Sequence, residues 1–302
     1  MTAAEAGVVG AGRIGLSLAA ALEDTGRFDR VWVAGRRAER PAFLRDRDGV
    51  GYGVRDGWTR ELPTRPAERL TLFFCVPDRS IGEAAEAWGR ELARAGMLAG
   101  GSPGPTLHAV FHTSGSRPAS DLEPLAREAE DHEPGLAALH PLCAVAGPDP
   151  EAFRDVTFGV EGTRAGVEAA REVAEAVGRR AIRVPAEGKA RYHAGAVFAS
   201  NLLAACIGAG LRQLRSVSPD EVGADDLLPL ARSALEQIDR HGLAAGTTGP
   251  VVRGDVATVE SHLEALDPAA RSVYASLTAE LLTHADVPPD VRRAVEDALS
   301  DG

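Results

Sequence analysis

The residues best suited to chemistry fall in two places. The first is Val8-Val9-Gly10-Ala11-Gly12-Arg13-Ile14-Gly15-Leu16, an apolar run that reaches a glycine-rich turn and continues as an Ala/Leu-rich segment. This GxGxxG closes a predicted strand and opens a predicted helix, a context that makes it far more specific than the pattern alone. Gly10 permits the tight turn, Gly12 lets the backbone approach a pyrophosphate, and Gly15 lets helix and strand pack closely. Arg13 and Ile14 head the helix, whose first N–H groups and positive dipole end favour an anion. The alternative is an ordinary Gly-rich strand–helix turn. The second place is a helix predicted from Glu187 to about Leu214, which carries Lys189, His193 and Ser200. At about 100° per residue these three share one face within ~40°. Lys189 would supply positive charge to a carbonyl or imine, or donate a proton once burial lowers its pKa. His193 titrates near neutrality unaided. A solvated polar stripe on an amphipathic helix explains the same row without chemistry.

Strand ends supply the other candidates. Val31-Trp32-Val33-Ala34 runs into Gly35-Arg36-Arg37. An NAD site places an acid at this point for the ribose 2′-OH, whereas an NADP site uses Arg on the 2′-phosphate. Two arginines stand here, so NADP is the expected dinucleotide; two solvated surface arginines are the plain alternative. Leu70–Val76 is the clearest buried strand, followed by Pro77-Asp78. Pro ends a central strand, so Val76 and Pro77 are assigned to the edge where the cofactor rests. Leu107–Phe111 runs into His112-Thr113-Ser114-Gly115-Ser116. Ser114 and Ser116 bind a nicotinamide amide or substrate, or else cap the following helix. Leu136–Leu142 carries His140 to the same edge, unless it is a hydrogen-bonded core histidine.

Alternation of strands and helices continues through strands near Val156–Val160 and Ala181–Val184, with a helix near Ala165–Val177. Residues ~45–68 read as loop, rich in Gly, Pro, Arg and Asp. After Pro185 only helical patterns remain. The expected fold is an α/β Rossmann doubly wound parallel sheet over residues 1–185, followed by an all-α C-terminal domain over 186–302 for substrate and dimerisation. Gly246–Asp255 interrupts two helices, with Asp255 as an N-cap; Arg253 binds a substrate anion or pairs with an acid.

The 302 residues are 44% hydrophobic, with 44 Asp+Glu against 33 Lys+Arg and net charge −11. That balance argues against nucleic acid as the main partner. Cys75, Cys143 and Cys206 are dispersed, which excludes a disulfide framework or zinc site and makes a reducing cytoplasm the default; no metal is expected. Cys75 reads as a small core residue. No signal peptide and no uninterrupted apolar stretch of membrane-spanning length is evident.

On Gly10–Gly15, Val76-Pro77-Asp78, His112–Ser116, His140-Pro141-Leu142, Lys189…Tyr192-His193…Ser200-Asn201 and Thr248-Gly249-Pro250…Arg253-Gly254-Asp255, the chain resembles an uncharacterised Rossmann-like family, an NADP-binding domain followed by a helical domain of unknown function. More distantly it resembles pyrroline-5-carboxylate reductase, deazaflavin-dependent NADP reductases and the 6-phosphogluconate/β-hydroxyacid dehydrogenases. The last group implies a catalytic Lys on the first helix after the sheet, matched by Lys189, but carries Asn four residues later where His193 stands. Reductases of the first kind build their site between subunits, which implies a homodimer through the helical domain. The expectation is an NADP(H)-dependent oxidoreductase acting on a small carbonyl, imine or hydroxy acid, with Lys189, His193, Ser114 and His140 as catalytic candidates. The rivals are an NADP-binding sensor or scaffold without turnover, and an inactive relative that binds no nucleotide.

Overall fold

A computed structural model describes residues 4–54, 69–94, 98, 106–129 and 132–300. The chain divides into two compact units, Met1–Val197 and Phe198–Gly302. The sequence places the division near residue 185; the helix that follows the sheet instead belongs largely with the sheet, for reasons its side chains supply below.

The first unit is built on strands β1 (Ala4–Val9), β2 (Arg30–Gly35), β3 (Val50–Val54), β4 (Arg69–Phe74), β5 (Thr106–His112), β6 (Gly135–Pro141), β7 (Thr157–Gly162) and β8 (Arg180–Arg183). Their order is β3-β2-β1-β4-β5-β6-β7-β8. β1, β4 and β5 are near-continuous apolar runs because both faces are covered, as parallel sheets require. Helices α1 (Arg13–Asp24) and α2 (Ile81–Arg94) connect β1 to β2 and β4 to β5. On one face Val8, Leu18, Leu22, Val33, Phe73 and Phe111 form the core; on the other Trp32 stacks on Trp88 at 6.0 Å among Leu72, Phe74 and Ile81.

Strand order reverses between β1 and β4, both of which pair in parallel with their neighbours. A crevice at the carboxyl ends of the strands belongs at such a switch point. Three features depart from the sequence reading. β3 lies within the segment read as loop: Val-Gly-Tyr-Gly-Val has too little apolar area to announce a strand, but it pairs with β2 from Val31↔Val50 to Gly35↔Val54. Residues 55–68 of that segment lie outside the described residues. β7 runs antiparallel to β6, so the sheet is mostly rather than wholly parallel. The connection, residues 142–156, holds no crossover helix, and a parallel return needs one. The helix expected over Ala119–Asp131 is a 3₁₀ turn, Ala119–Leu122, followed by one α-turn, α3 (Glu123–Ala126), with residues 130–131 outside the described set. After β7, α4 (Arg164–Val177) is capped by Thr163, which accepts from Gly166 N–H at 3.1 Å.

The long helix expected from Glu187 is two, α5 (Lys189–Phe198) and α6 (Asn201–Val217), because Ser200 adopts φ −126°, ψ −86° and its hydroxyl bonds Asn201. Residues that bond locally through their side chains compete with helical continuation. The break ends the polar row at His193 and removes Ser200 from it. By length and composition Ala186–Val217 suits a membrane crossing, with mean hydropathy 1.7 over 18 residues, which corrects the reading that found no such stretch. The stretch is divided between helices of 10 and 17 residues.

The second unit is helical: α6, α7 (Ala224–Gly246), α8 (Pro250–Arg253), α9 (Val256–Ala265), α10 (Pro268–His284) and α11 (Pro289–Ser300). Val251, Val259, Leu263, Leu282 and Val295 form its core. Asp255 caps α9, accepting from Thr258 N–H at 3.2 Å.

Candidate functional site

Two sets of residues gather at the carboxyl ends of the strands in the first unit. The first surrounds the N-terminus of α1. Gly10 has φ +117°, and a Cβ there would come within 2.4 Å of the Cys75 carbonyl oxygen. Gly15 is equally constrained, since a Cβ would lie 1.9 Å from the Gly10 carbonyl oxygen. Gly12 differs: it is the N-cap of α1 with extended backbone, and a Cβ there would meet nothing within 4 Å. Close packing at Gly10 and Gly15 and open space at Gly12 fit the approach of a pyrophosphate to the first N–H groups of α1. Arg13 and Ile14 head that helix. The Arg13 guanidinium donates to Ala146 O at 3.4 Å, and Ser17 Oγ accepts from Asp149 N–H at 2.9 Å, which fastens the β6–β7 loop beside α1.

At the end of β2, Arg36 and Arg37 are exposed. The backbone of Arg37 is fixed by the edge strand, because Tyr52 O–H donates to its carbonyl at 2.8 Å. The Tyr52 phenol lies so close over Gly35 that a Cβ there would sit 2.2 Å from its oxygen. Val76 lines the turn after β4, 3.4 Å from the position of a Gly10 Cβ, and Pro77 starts the following 3₁₀ turn. Burial pushes the Cys75 thiol up to about 12, so it is a core residue and no nucleophile.

The second set joins β5, β6 and β7 to α5. His112 is fully buried; its Nε2–H donates to Pro118 O at 3.1 Å and its Nδ1 accepts from Ser114 N–H at 3.2 Å. Both ring nitrogens are thus committed, and burial drives its pKa down to about 4. Ser114 Oγ accepts from Ser116 N–H at 3.2 Å and from Arg117 N–H at 3.1 Å. Ser116 O–H donates to Asp78 Oδ2 at 2.8 Å, which leaves the Ser114 hydroxyl to donate to Ser116 Oγ at 3.4 Å. Ser114 is therefore a turn residue in a hydrogen-bonded chain that ties the β5 loop to the β4 loop.

Gly115 sits between two imidazoles. A Cβ there would lie 2.6 Å from His193 Cδ2 and 2.8 Å from His140 Cε1. The rings of His140 and His193 are 5.9 Å apart. His140 is held down to about 4 by burial first and then by the nearby positive charge of His193 and Lys189. Lys189 is 5% exposed and lies 3.7 Å from Glu161 Oε2. Burial lowers its pKa, and the Glu161 carboxylate opposes that shift.

The structure thus brings His140, Lys189 and His193 together and adds Asp78, Gly115, Glu161 and Tyr192. Glu161 lies outside every candidate list drawn from sequence, and Tyr192 enters there only as part of the motif around His193, with no role assigned. Tyr192 adjoins His193 in the chain, but nothing in the spacing reveals that it reaches His140. Among the described residues no group of three His, Cys, Asp or Glu is arranged to hold a metal ion.

Residues 156–281 match the model of a family described as a domain of unknown function (DUF2520). No curated protein matches the chain. Among solved structures, TM1727 from Thermotoga maritima is 20% identical, with TM-score 0.64 over 97% of this chain and 98% of its own. BF3122 from Bacteroides fragilis, provisionally described as an NADP oxidoreductase, is 21% identical, with TM-score 0.62 over 92% and 96%. An NADH-preferring ketol-acid reductoisomerase from an uncultured archaean is 11% identical, with TM-score 0.53 over 98% and 81%. The chain therefore has a Rossmann fold, and its residues 156–281 resemble a domain of unknown function.

Proposed function

We propose that the protein is an NADP(H)-dependent oxidoreductase that transfers hydride to or from a small carbonyl, imine or hydroxy acid. The observation that carries this reading is the open space at Gly12 between the crowded Gly10 and Gly15, with Arg36 and Arg37 exposed at the end of the adjacent strand. The α1 N-terminus would receive the pyrophosphate, with Gly10, Gly12, Arg13, Ile14 and Gly15 shaping the turn, and Val76 and Pro77 would bound the same edge. Of the proteins with this fold, one is described with NADP and one as NADH-preferring, so the fold accommodates either. Arg36 and Arg37 favour the phosphorylated form, because a guanidinium forks onto a phosphate where an acid would repel it.

When bound, the nicotinamide supplies or accepts the hydride. Lys189, anchored by Glu161, contributes positive charge where the substrate oxygen or nitrogen gains electron density, and His193 exchanges a proton with it. Ser114 holds the loop that carries Gly115 rather than touching substrate. Large apolar side chains exposed on the helical unit, among them Phe198, Val217 and Leu230 at 65%, 78% and 69%, support a homodimer through that unit. Three free cysteines support a cytoplasmic location.

A second reading, a nucleotide-binding sensor without turnover, is favoured by one observation: Lys189 and Ser114 both have intramolecular partners. Calorimetric titration with NADPH and NADH, followed by turnover with a carbonyl and imine panel, separates the two. NADPH binding that is tighter than NADH and weakens about 10- to 100-fold in Arg36→Ala/Arg37→Ala supports the assigned cofactor site. Turnover that falls in Lys189→Ala and His193→Ala supports the enzyme. Binding without turnover on any substrate favours the sensor, and binding of neither dinucleotide overturns both.

A further inference from the structure

Tyr192 and His140 meet edge to face, with ring centroids 5.7 Å apart and planes at 86°. Tyr192 Oη lies 2.9 Å from His140 Nδ1. The same oxygen sits over Gly159 of β7, where a Cβ would come within 2.1 Å. Burial pushes the phenol up to about 12, so it keeps its proton across the physiological range. The protonated phenol thus has a hydrogen to place on the imidazole nitrogen.

We propose that Tyr192 is a positioning residue: it donates to His140 Nδ1 and so fixes the tautomer whose Nε2–H is turned toward Gly115, where it offers a neutral hydrogen-bond donor to a carbonyl or alkoxide oxygen. Among the described residues His140 Nε2 has no hydrogen-bond partner, and it lies 2.9 Å from where a Gly115 Cβ would be. Glycine at 115 is what leaves that nitrogen approachable. His112 provides the contrast, since both its nitrogens are bonded within the fold. The groups that face His140 are His193, Lys189, Asp78 and His112, and with burial they keep the ring neutral. A neutral imidazole that donates without surrendering its proton polarises a carbonyl and stabilises the developing oxyanion.

The substrate half of this inference rests on the reductase reading above; the tautomer half does not. The test is a two-bond ¹H–¹⁵N correlation spectrum of the whole protein without ligand, which reports each histidine tautomer directly. His140 is expected as the Nε2–H form near neutral pH, and Tyr192→Phe is expected to shift it toward the Nδ1–H form. A wild-type ring that carries its proton on Nδ1, or on both nitrogens, overturns the proposal, as does an unchanged tautomer in a folded Tyr192→Phe. The substrate half is read with His140→Gln, whose amide nitrogen falls near Nε2, against His140→Asn, whose amide falls near Nδ1. With NADPH affinity equal in both, His140→Asn is expected to lose about 100-fold in kcat and His140→Gln about tenfold or less. Equal losses overturn the donor role, whereas absent NADPH binding overturns the reductase reading and leaves the spectrum to judge Tyr192.

Discussion

Glu161 Oε2 lies 3.7 Å from Lys189 Nζ while accepting the backbone N–H of Ala119 at 2.8 Å. One carboxylate thus joins α5 to β7 and to the turn after β5. Both side chains are almost wholly buried, at 6% and 11% exposure, so solvent screens the pair little. Removing one partner leaves an uncompensated buried charge, which costs more than the intact pair contributes. Glu161→Gln is therefore expected to lose about 3 kcal/mol of stability near neutral pH, read from urea unfolding. Lys189→Met should cost a similar amount, and the double variant should recover much of either loss. A Glu161→Gln protein as stable as wild type would show that Lys189 sheds its charge without the carboxylate.

The glycines of the α1 turn separate folding from binding. Gly10→Ala places a Cβ at φ +117° against the Cys75 carbonyl, a backbone atom that cannot swing aside, so stability should fall by about 2 kcal/mol or more. Gly12→Ala meets nothing within 4 Å and has an ordinary φ of −85°. Its melting temperature should stay close to wild type while NADPH affinity drops, because the new methyl group enters the space assigned to the pyrophosphate. Differential scanning calorimetry and isothermal titration check the two halves. Unchanged affinity in Gly12→Ala would place the dinucleotide elsewhere.

That contrast also shows what the chain reveals without coordinates. Gly10, Gly12 and Gly15 are legible because strand, turn and helix periodicities coincide around them, and the sheet follows from apolar runs such as Leu70–Phe74. Lys189 and His193 are legible as a pair because a helix sets i and i+4 on one face. What chooses their partners is tertiary. Glu161 stands on β7 and Tyr192 finds His140 across β6, and no local pattern encodes those distances. The polar row extends too far in sequence, to Ser200, because helix periodicity says nothing of where a Ser-Asn pair ends the helix. His112 and His140 sit alike at strand ends, and only their hydrogen-bond partners separate the structural ring from the one with a nitrogen to spare. β3 is hidden because its glycines, at 51 and 53, leave only Val50, Tyr52 and Val54 as its apolar signal.

The buried histidines set the acid limit of stability. His112 is held from 6.5 down to about 4 by burial, and protonation would force Nδ1 to give up the Ser114 N–H. The unfolded chain binds this proton below about 6.5 and the folded chain only below about 4, so the stability at stake is intact above the first value and lost as pH falls toward the second. Its ceiling is on the order of 3 kcal/mol. His140 acts with the same sign. Asp78, Asp121 and Lys189, which face His112, modulate the window. Unfolding free energies measured from pH 7 to pH 4.5 should fall less steeply in His112→Gln than in wild type, even though the variant starts lower. Parallel slopes would assign the acid sensitivity to other groups.

Gly115 offers the most selective test of the two-histidine arrangement. A methyl group there overlaps His193 Cδ2 at 2.6 Å and His140 Cε1 at 2.8 Å, both side-chain atoms that can yield, with no backbone atom among its closest contacts. Gly115→Ala should therefore fold, at a cost of about 1–3 kcal/mol from overpacking, with both rings displaced. Displacements approaching 1 Å in a reacting group cost about 100-fold in rate. The α1 turn and the Arg36–Arg37 edge are untouched, so the dissociation constant for NADPH should hold while kcat collapses on any carbonyl that wild type reduces. Intact turnover in Gly115→Ala would remove both imidazoles from the reaction and leave Lys189 to act alone.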